Sequence, residues 1–173
     1  MLEELETKFI EKVIEIKRVS KTVKGGKRFN ISATVVVGDG NSMVGIGHAK
    51  AQEVVQAVRK ATERAKKNMV KISVKGRTIA FPVQAKFGAS KVLLKPASPG
   101  TGIIACQQVR APIEAIGIQD ILTKSFGSRN PYNLAIATIK ALQKLRTLEE
   151  IARMRNKPIP QIIGKDEETK DNT

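Results

Sequence analysis

Apolar side chains occupy every second position from Phe29 through Ile31, Ala33 and Val35 to Val37, with Asn30, Ser32, Thr34 and Val36 between them. That alternation predicts a half-buried β-strand, because successive side chains of an extended chain point to opposite faces. Asp39-Gly40-Asn41 predicts a tight turn into a third short strand through Met43, Val44, Ile46 and His48, with Gly45 and Gly47 interleaved. Upstream, Val13, Ile14, Ile16 and Val19 predict a first strand, which the run Lys21–Arg28 interrupts. After Ala51 the period changes. Val54, Val58, Ala61, Ala65 and Met69 recur at spacings of four, three, four and four, one stripe of an amphipathic helix over 51–70.

The segment Ile72–Ile79 reads as a short strand or an extended connector, and a domain boundary falls near residues 75–79. No Pro/Ser-rich linker marks it, so the two parts are expected to pack against each other. The second part opens with strands over Ala80–Phe87 and Lys91–Lys95, followed by the turn-rich loop Pro96–Gly102. Val109–Ile116 predicts a short helix stopped by Gly117, and residues 118–126 read as mixed. Asn130-Pro131 predicts a capped helix running to about Leu145 on Leu134, Ala135, Thr138 and Leu142. Thr147 and Glu150 form the pattern of a capping box that opens a last short helix. From Lys157 onward, two prolines and an acidic end predict a loose tail.

Charge changes this picture most. The 173 residues carry a net charge of +15. Residues 12–91 hold eighteen bases against four acids, whereas residues 1–11 hold four acids against one base. A folded, strongly basic segment points to a polyanion, nucleic acid first and an anionic membrane surface second. A membrane binder would need large exposed apolar residues on a basic helix, and the 51–70 stripe of Val, Ala and Met suits a core better. No apolar run approaches the ~20 residues that span a bilayer. The acidic start MLEELETKFIEK lacks the basic and apolar regions of a secretory signal. One Cys and one His are too few for an internal disulfide or a zinc site, so no metal and no cofactor is expected.

The most pointed feature is Ser20-Lys21, then Lys24-Gly25-Gly26-Lys27-Arg28. Adjacent glycines let a backbone approach a partner closely, and the flanking cations suit phosphates. A solvated basic turn would read the same way; phosphate contact is the preferred reading. The outer face of the 51–70 helix carries Arg59, Lys60, Arg64, Lys66 and Lys67 and has the same two readings. Aromatics make up only 3% of the chain, and Phe29, Phe81 and Phe87 fall at core positions of strands. Backbone and shape recognition of folded RNA is therefore expected rather than base stacking. Gly45-Ile-Gly-His48 reads as tight strand-to-helix packing, with His48 packed rather than catalytic. Pro99-Gly-Thr-Gly-Ile103 looks like a phosphate loop but lacks the Lys-Ser/Thr of a nucleotide site. Cys106 has no neighbouring base and reads as a buried structural thiol.

Taken together, Ile16–Phe29, Val36–Asn41, Val44–Gly47, Ala61–Met69, Pro96–Ala105 and Gly127–Pro131 resemble, in order, the motifs of a known family. It is the family of the fifth protein of the bacterial small ribosomal subunit, and the resemblance runs from about Glu11 to Leu145. It implies an α+β fold: a double-stranded-RNA-binding-like domain of three strands and a helix over 11–78, then a βαβα domain over 79–150. Residues 1–10 would be an acidic tail, and 151–173 a helix end and loose tail. The resemblance also implies a non-enzymatic, cytoplasmic ribosome component. It would bind small-subunit rRNA near the head–body junction and line the path by which mRNA enters, supporting assembly, decoding accuracy and mRNA unwinding. Partners would be the fourth small-subunit protein, and also the third and eighth. By motif, Ser20, Lys21 and Lys24–Arg28 match the family's rRNA-contacting loop, and Gly102 and Arg110 match its contact with the fourth protein. Cys106 and Gln107 replace small residues common in the family, and Pro112 falls inside the predicted short helix.

Overall fold

The computed structural model describes residues 9–74 and 76–159. Most of the expected acidic tail over 1–10, and the tail beyond 159, lie outside the described residues. The first sheet is antiparallel in the order β1 (Ile10–Val23), β2 (Gly26–Gly38), β3 (Met43–Ala51) and β4 (Val70–Lys71). Helix α1 (Val54–Lys67) lies across it. The second sheet has the order β5 (Val83–Phe87), β6 (Ser90–Pro96), β8 (Ile121–Gly127), β7 (Ile103–Ile104), with β7 and β8 parallel. The connection between those two is α2 (Gln107–Ile116), and α3 (Pro131–Leu142) and α4 (Leu148–Arg155) follow. The α+β class and the sheet-plus-helix opening stand as expected, with the two-residue β4 added at the sheet edge.

The alternation in β2 is real, but both of its faces are covered. Ala33, Val35 and Val37 join Ala57, Ala61 and Ala65 of α1 in one cluster. Val36, on the opposite face, joins Ile14 and Val44 against Ile113, Ala115 and Ile116 of α2. Ser32 and Thr34 are buried on that same face, so the stretch from Ser32 to Gly38 is buried on both faces rather than half buried. Sequence alternation could not reveal this, because small polar residues satisfied by hydrogen bonds sit inside as readily as outside.

The close approach of α1 rests on two glycines. A Cβ at Gly47 would lie 1.9 Å from the Ala61 carbonyl oxygen, and one at Gly45 2.1 Å from that of Ala65. The glycine-rich strand is therefore a packing surface, as expected, and no phosphate loop. The helix is shorter than predicted. β3 continues to Ala51, paired with Ile31, and β4 begins at Val70, paired with Val44. Val54 is exposed rather than in the stripe, and Ala57 takes the buried place.

The two halves share one core. Gly40 donates its backbone N–H to the Ala115 carbonyl at 3.0 Å, and Lys12 pairs with Glu114. Helix α2 runs through Pro112, which is itself buried. Residues 118–126 resolve into buried Ile118 and Asp120 followed by β8. Asn130 caps α3, accepting from the Tyr132 N–H at 3.1 Å, and Pro131 holds the first helical position. The α4 capping box forms as predicted, with Glu150 N–H donating to Thr147 Oγ1 at 3.1 Å. Helix α3 stops at Leu142 rather than Leu145, although Leu145 remains buried just past its end.

Candidate nucleic-acid interface

The last residue of β2 to pair with β3 is Ile31. From there to the tip, β1 and β2 pair only with each other, through Ser20↔Phe29, Lys21↔Arg28, Thr22↔Lys27 and Val23↔Gly26. The predicted interruption at 21–28 is thus only a turn at Lys24-Gly25, and the flanking cations lie on paired strands. The result is a two-stranded arm, about 14 Å long from Val19 to Val23. Gly26 sits at φ 132°, where a side chain would be strained, and both Gly25 and Gly26 face open space. Ser20, Lys21, Lys24, Lys27 and Arg28 are all exposed.

The register sorts these cations. Lys17, Lys21 and Arg28 share the face that continues toward α2, and Arg18 and Lys27 share the face that continues toward α1. No acidic residue occurs between Lys17 and Asn30. Phe29, expected in the core, is 49% exposed at the root of the arm. Its ring carries the Arg18 guanidinium 4.0 Å above its centre. The sequence placed Phe29 inside because its period matches Ile31 and Ala33. The register shows that α1 no longer covers the sheet at that row.

On α1 the five expected contacts divide. Arg64 donates to the His48 carbonyl at 2.7 Å, and Lys66 pairs with Glu11 at 3.0 Å and lies over the Phe9 ring. Arg59 pairs with Glu63 one turn along, at 3.3 Å and largely in solvent. Lys60 and Lys67 are exposed and have no ion pair among the described residues. The helix and the Arg18–Phe29 face of the arm lie on the same side of the sheet. His48 is packed, as expected. Its ring nitrogens lie 3.0 Å from Thr34 Oγ1 and 3.3 Å from Ser32 Oγ, and the Tyr132 ring tilts against it with centres 5.4 Å apart. Burial, then the charges of Lys50 and Arg64, hold its pKa below the ordinary value.

The loop that resembles a phosphate site is occupied from within. Asp120 Oδ1 accepts the N–H groups of Gly100 at 3.0 Å and Gly102 at 2.9 Å, and Oδ2 accepts from Arg77 Nε at 3.1 Å. The Gly102 amide lowers the pKa of this buried carboxylate, burial opposes it, and Arg77 lowers it further. Amides that a nucleotide phosphate would need are already taken. Asp120 carries no local motif; its one signal in the sequence is being among the few acids between residues 92 and 164. Gly102 and Arg110 bracket Ile103, whose carbonyl accepts from Arg110 Nη2 at 2.6 Å. Cys106 caps α2 and is exposed, contrary to the buried thiol expected, because it precedes the helix's first turn and leaves the sheet after β7. Among the described residues there is no metal-ligating cluster and no helix long and apolar enough to cross a membrane.

The chain matches the family model described as ribosomal protein S5, N-terminal domain, over residues 9–73, and that described as ribosomal protein S5, C-terminal domain, over 85–155. It is 50% identical over 161 residues to the small ribosomal subunit protein uS5 of Syntrophobacter fumaroxidans, covering 93% of this chain and 97% of that one. It is 54% identical over 153 residues to the protein of the same name from Magnetococcus marinus, covering 88% and 86%. With both family domains matched in order and half the residues shared along nearly the whole length, the chain belongs to the ribosomal protein S5 family, whose members are structural, non-enzymatic ribosomal constituents.

Proposed function

We propose that this chain is built into the small ribosomal subunit by binding its rRNA through the β1–β2 arm and the outer face of α1. The single observation that carries the reading is the arm itself. It is a two-stranded extension of exposed Lys21, Lys24, Lys27 and Arg28, free of acids and without a third strand to support it. A lone hairpin is marginal in water, and such an arm gains most from a polyanion that neutralises it. Lys60, Lys67 and the solvated Arg59 extend the cationic surface on the same side, with Ser20, Gly25 and Gly26 letting a backbone come close. Arg64 and Lys66, which are tethered, contribute field more than direct contact.

The finer reading places the arm near the head–body junction and the chain beside the path by which mRNA enters, supporting assembly, decoding accuracy and unwinding. Gly102 and Arg110, with the Ile103 carbonyl between them, face the fourth small-subunit protein, and the third and eighth are neighbours. The acidic tail (1–10), the two domains (11–78 and 79–150) and the end (151–173) remain the proposed division. Sucrose-gradient fractionation of a lysate with a high-salt wash tests the assignment. Co-migration with the small subunit through the wash is expected, and a free pool of low molecular weight would overturn it.

A further inference from the structure

The face of the second sheet turned away from α2 and α3 is open. β6 presents Lys91, Leu93 and Lys95 there, and β8 presents Leu122, Lys124 and Phe126. The register sets Phe126 opposite Lys91, Lys124 opposite Leu93, and Leu122 opposite Lys95, with Ile104 of β7 beside Leu122. Lysine and apolar side chains therefore alternate in a checkerboard across β6 and β8, and Lys86 of β5 lies opposite Lys91 at its edge. The four strands contain no Asp or Glu. Phe126 is 47% exposed, Ile104 53% and Leu122 37%. Leu93, Leu122, Lys124 and Phe126 line a shallow hollow of about 330 Å³. The rings of Phe9, Phe29 and Phe87 each carry a cation, whereas Phe126 has no cation or ring partner among the described residues.

We propose that this face binds single-stranded RNA, one base stacking on the Phe126 ring over Leu122 and Leu93. Lys91, Lys95 and Lys124 take the adjoining phosphates. Charge complementarity selects a polyanion. A base offers a π-face whatever its identity, so one bare aromatic among lysines gives binding without sequence preference. The inference rests on the reading that the chain is an RNA binder, and adds a stacking mode distinct from the phosphate contacts of the arm.

The test uses the full chain and an unstructured ten-nucleotide oligoadenylate, read by fluorescence anisotropy. Phe126→Ala weakens binding roughly tenfold, Phe126→Trp restores it, and the pair Lys91→Glu with Lys124→Glu abolishes it. A 4-thiouridine oligonucleotide crosslinks to the peptide holding Phe126. Phe126 is half exposed, so an unchanged circular dichroism spectrum separates lost binding from lost fold. Undiminished affinity in both face variants, as a face reserved for a protein would give, overturns the proposal, as do crosslinks confined to Ser20–Arg28. An arm variant (Lys24, Lys27 and Arg28 to Ala) that loses an rRNA fragment but keeps the oligonucleotide supports both readings. One that keeps the rRNA fragment, beside a Phe126→Ala that loses the oligonucleotide, sinks only the arm reading.

Discussion

Lys21 and Arg28 face each other directly across the β1–β2 ladder. Like charges in register destabilise a hairpin, by roughly 0.2–1 kcal/mol, and nothing acidic nearby compensates. The arm thus gives up local stability for charge density. Lys21→Glu reverses the trade. The variant is expected to be as stable as the parent or slightly more stable in urea, yet to bind rRNA more weakly. Lower stability together with intact RNA binding would make the pair a structural feature instead.

Glycines of the arm and of β3 part company in the same way. Gly47→Ala drives a methyl to 1.9 Å from the Ala61 carbonyl, and overpacking of this kind costs roughly 1–3 kcal/mol or more. Gly25→Ala meets no atom within 4 Å, so its melting temperature should match the parent's. Chemical denaturation of the two variants side by side checks the contrast.

Asp120 ties the 97–102 loop to the second sheet. Its pKa is lowered from the ordinary 3.8. The folded state therefore binds its proton less readily than the unfolded chain, and its contribution is complete above that value and lost as pH falls below it. Asp120→Asn should flatten the acid limb of the stability curve. It should also speed hydrogen exchange at Gly100 and Gly102, the amides it holds. Unchanged exchange at those two amides would show that the loop stands without it.

His48 follows the same sign. Burial, with Lys50 and Arg64 nearby, lowers its pKa from 6.5. Stability that depends on the neutral ring is complete above that value and drains away as pH falls toward the lower folded pKa. His48→Gln should remove this part of the pH dependence, and an NMR titration of the ring reports the shift directly.

The elements near the site were legible where period and capping chemistry agree: β2, α1, the capped starts of α3 and α4, and the basic Gly-Gly turn. Three features were not. The second buried face of β2 hides behind Ser32 and Thr34, which read as solvent-facing. Phe29 shares the period of buried neighbours and lies beyond the reach of α1, whereas Phe126 lies on the sheet face that no helix covers. Asp120 acts across eighteen residues on Gly102, and no local pattern links the two. The arm's cations were visible as a cluster, whereas their sorting onto two faces needed the register.

The central claim is that the arm binds rRNA through phosphates. The affinity of the full chain for a small-subunit rRNA fragment, measured against salt for the parent and for the Lys24, Lys27, Arg28 to Ala variant, tests it most directly. Each neutralised phosphate contributes about 0.7–0.9 to the slope of log affinity against log salt. The account predicts that the variant's slope is shallower by about 2–3 with an unchanged circular dichroism spectrum. An unchanged slope, or binding indifferent to salt in the parent, would contradict it.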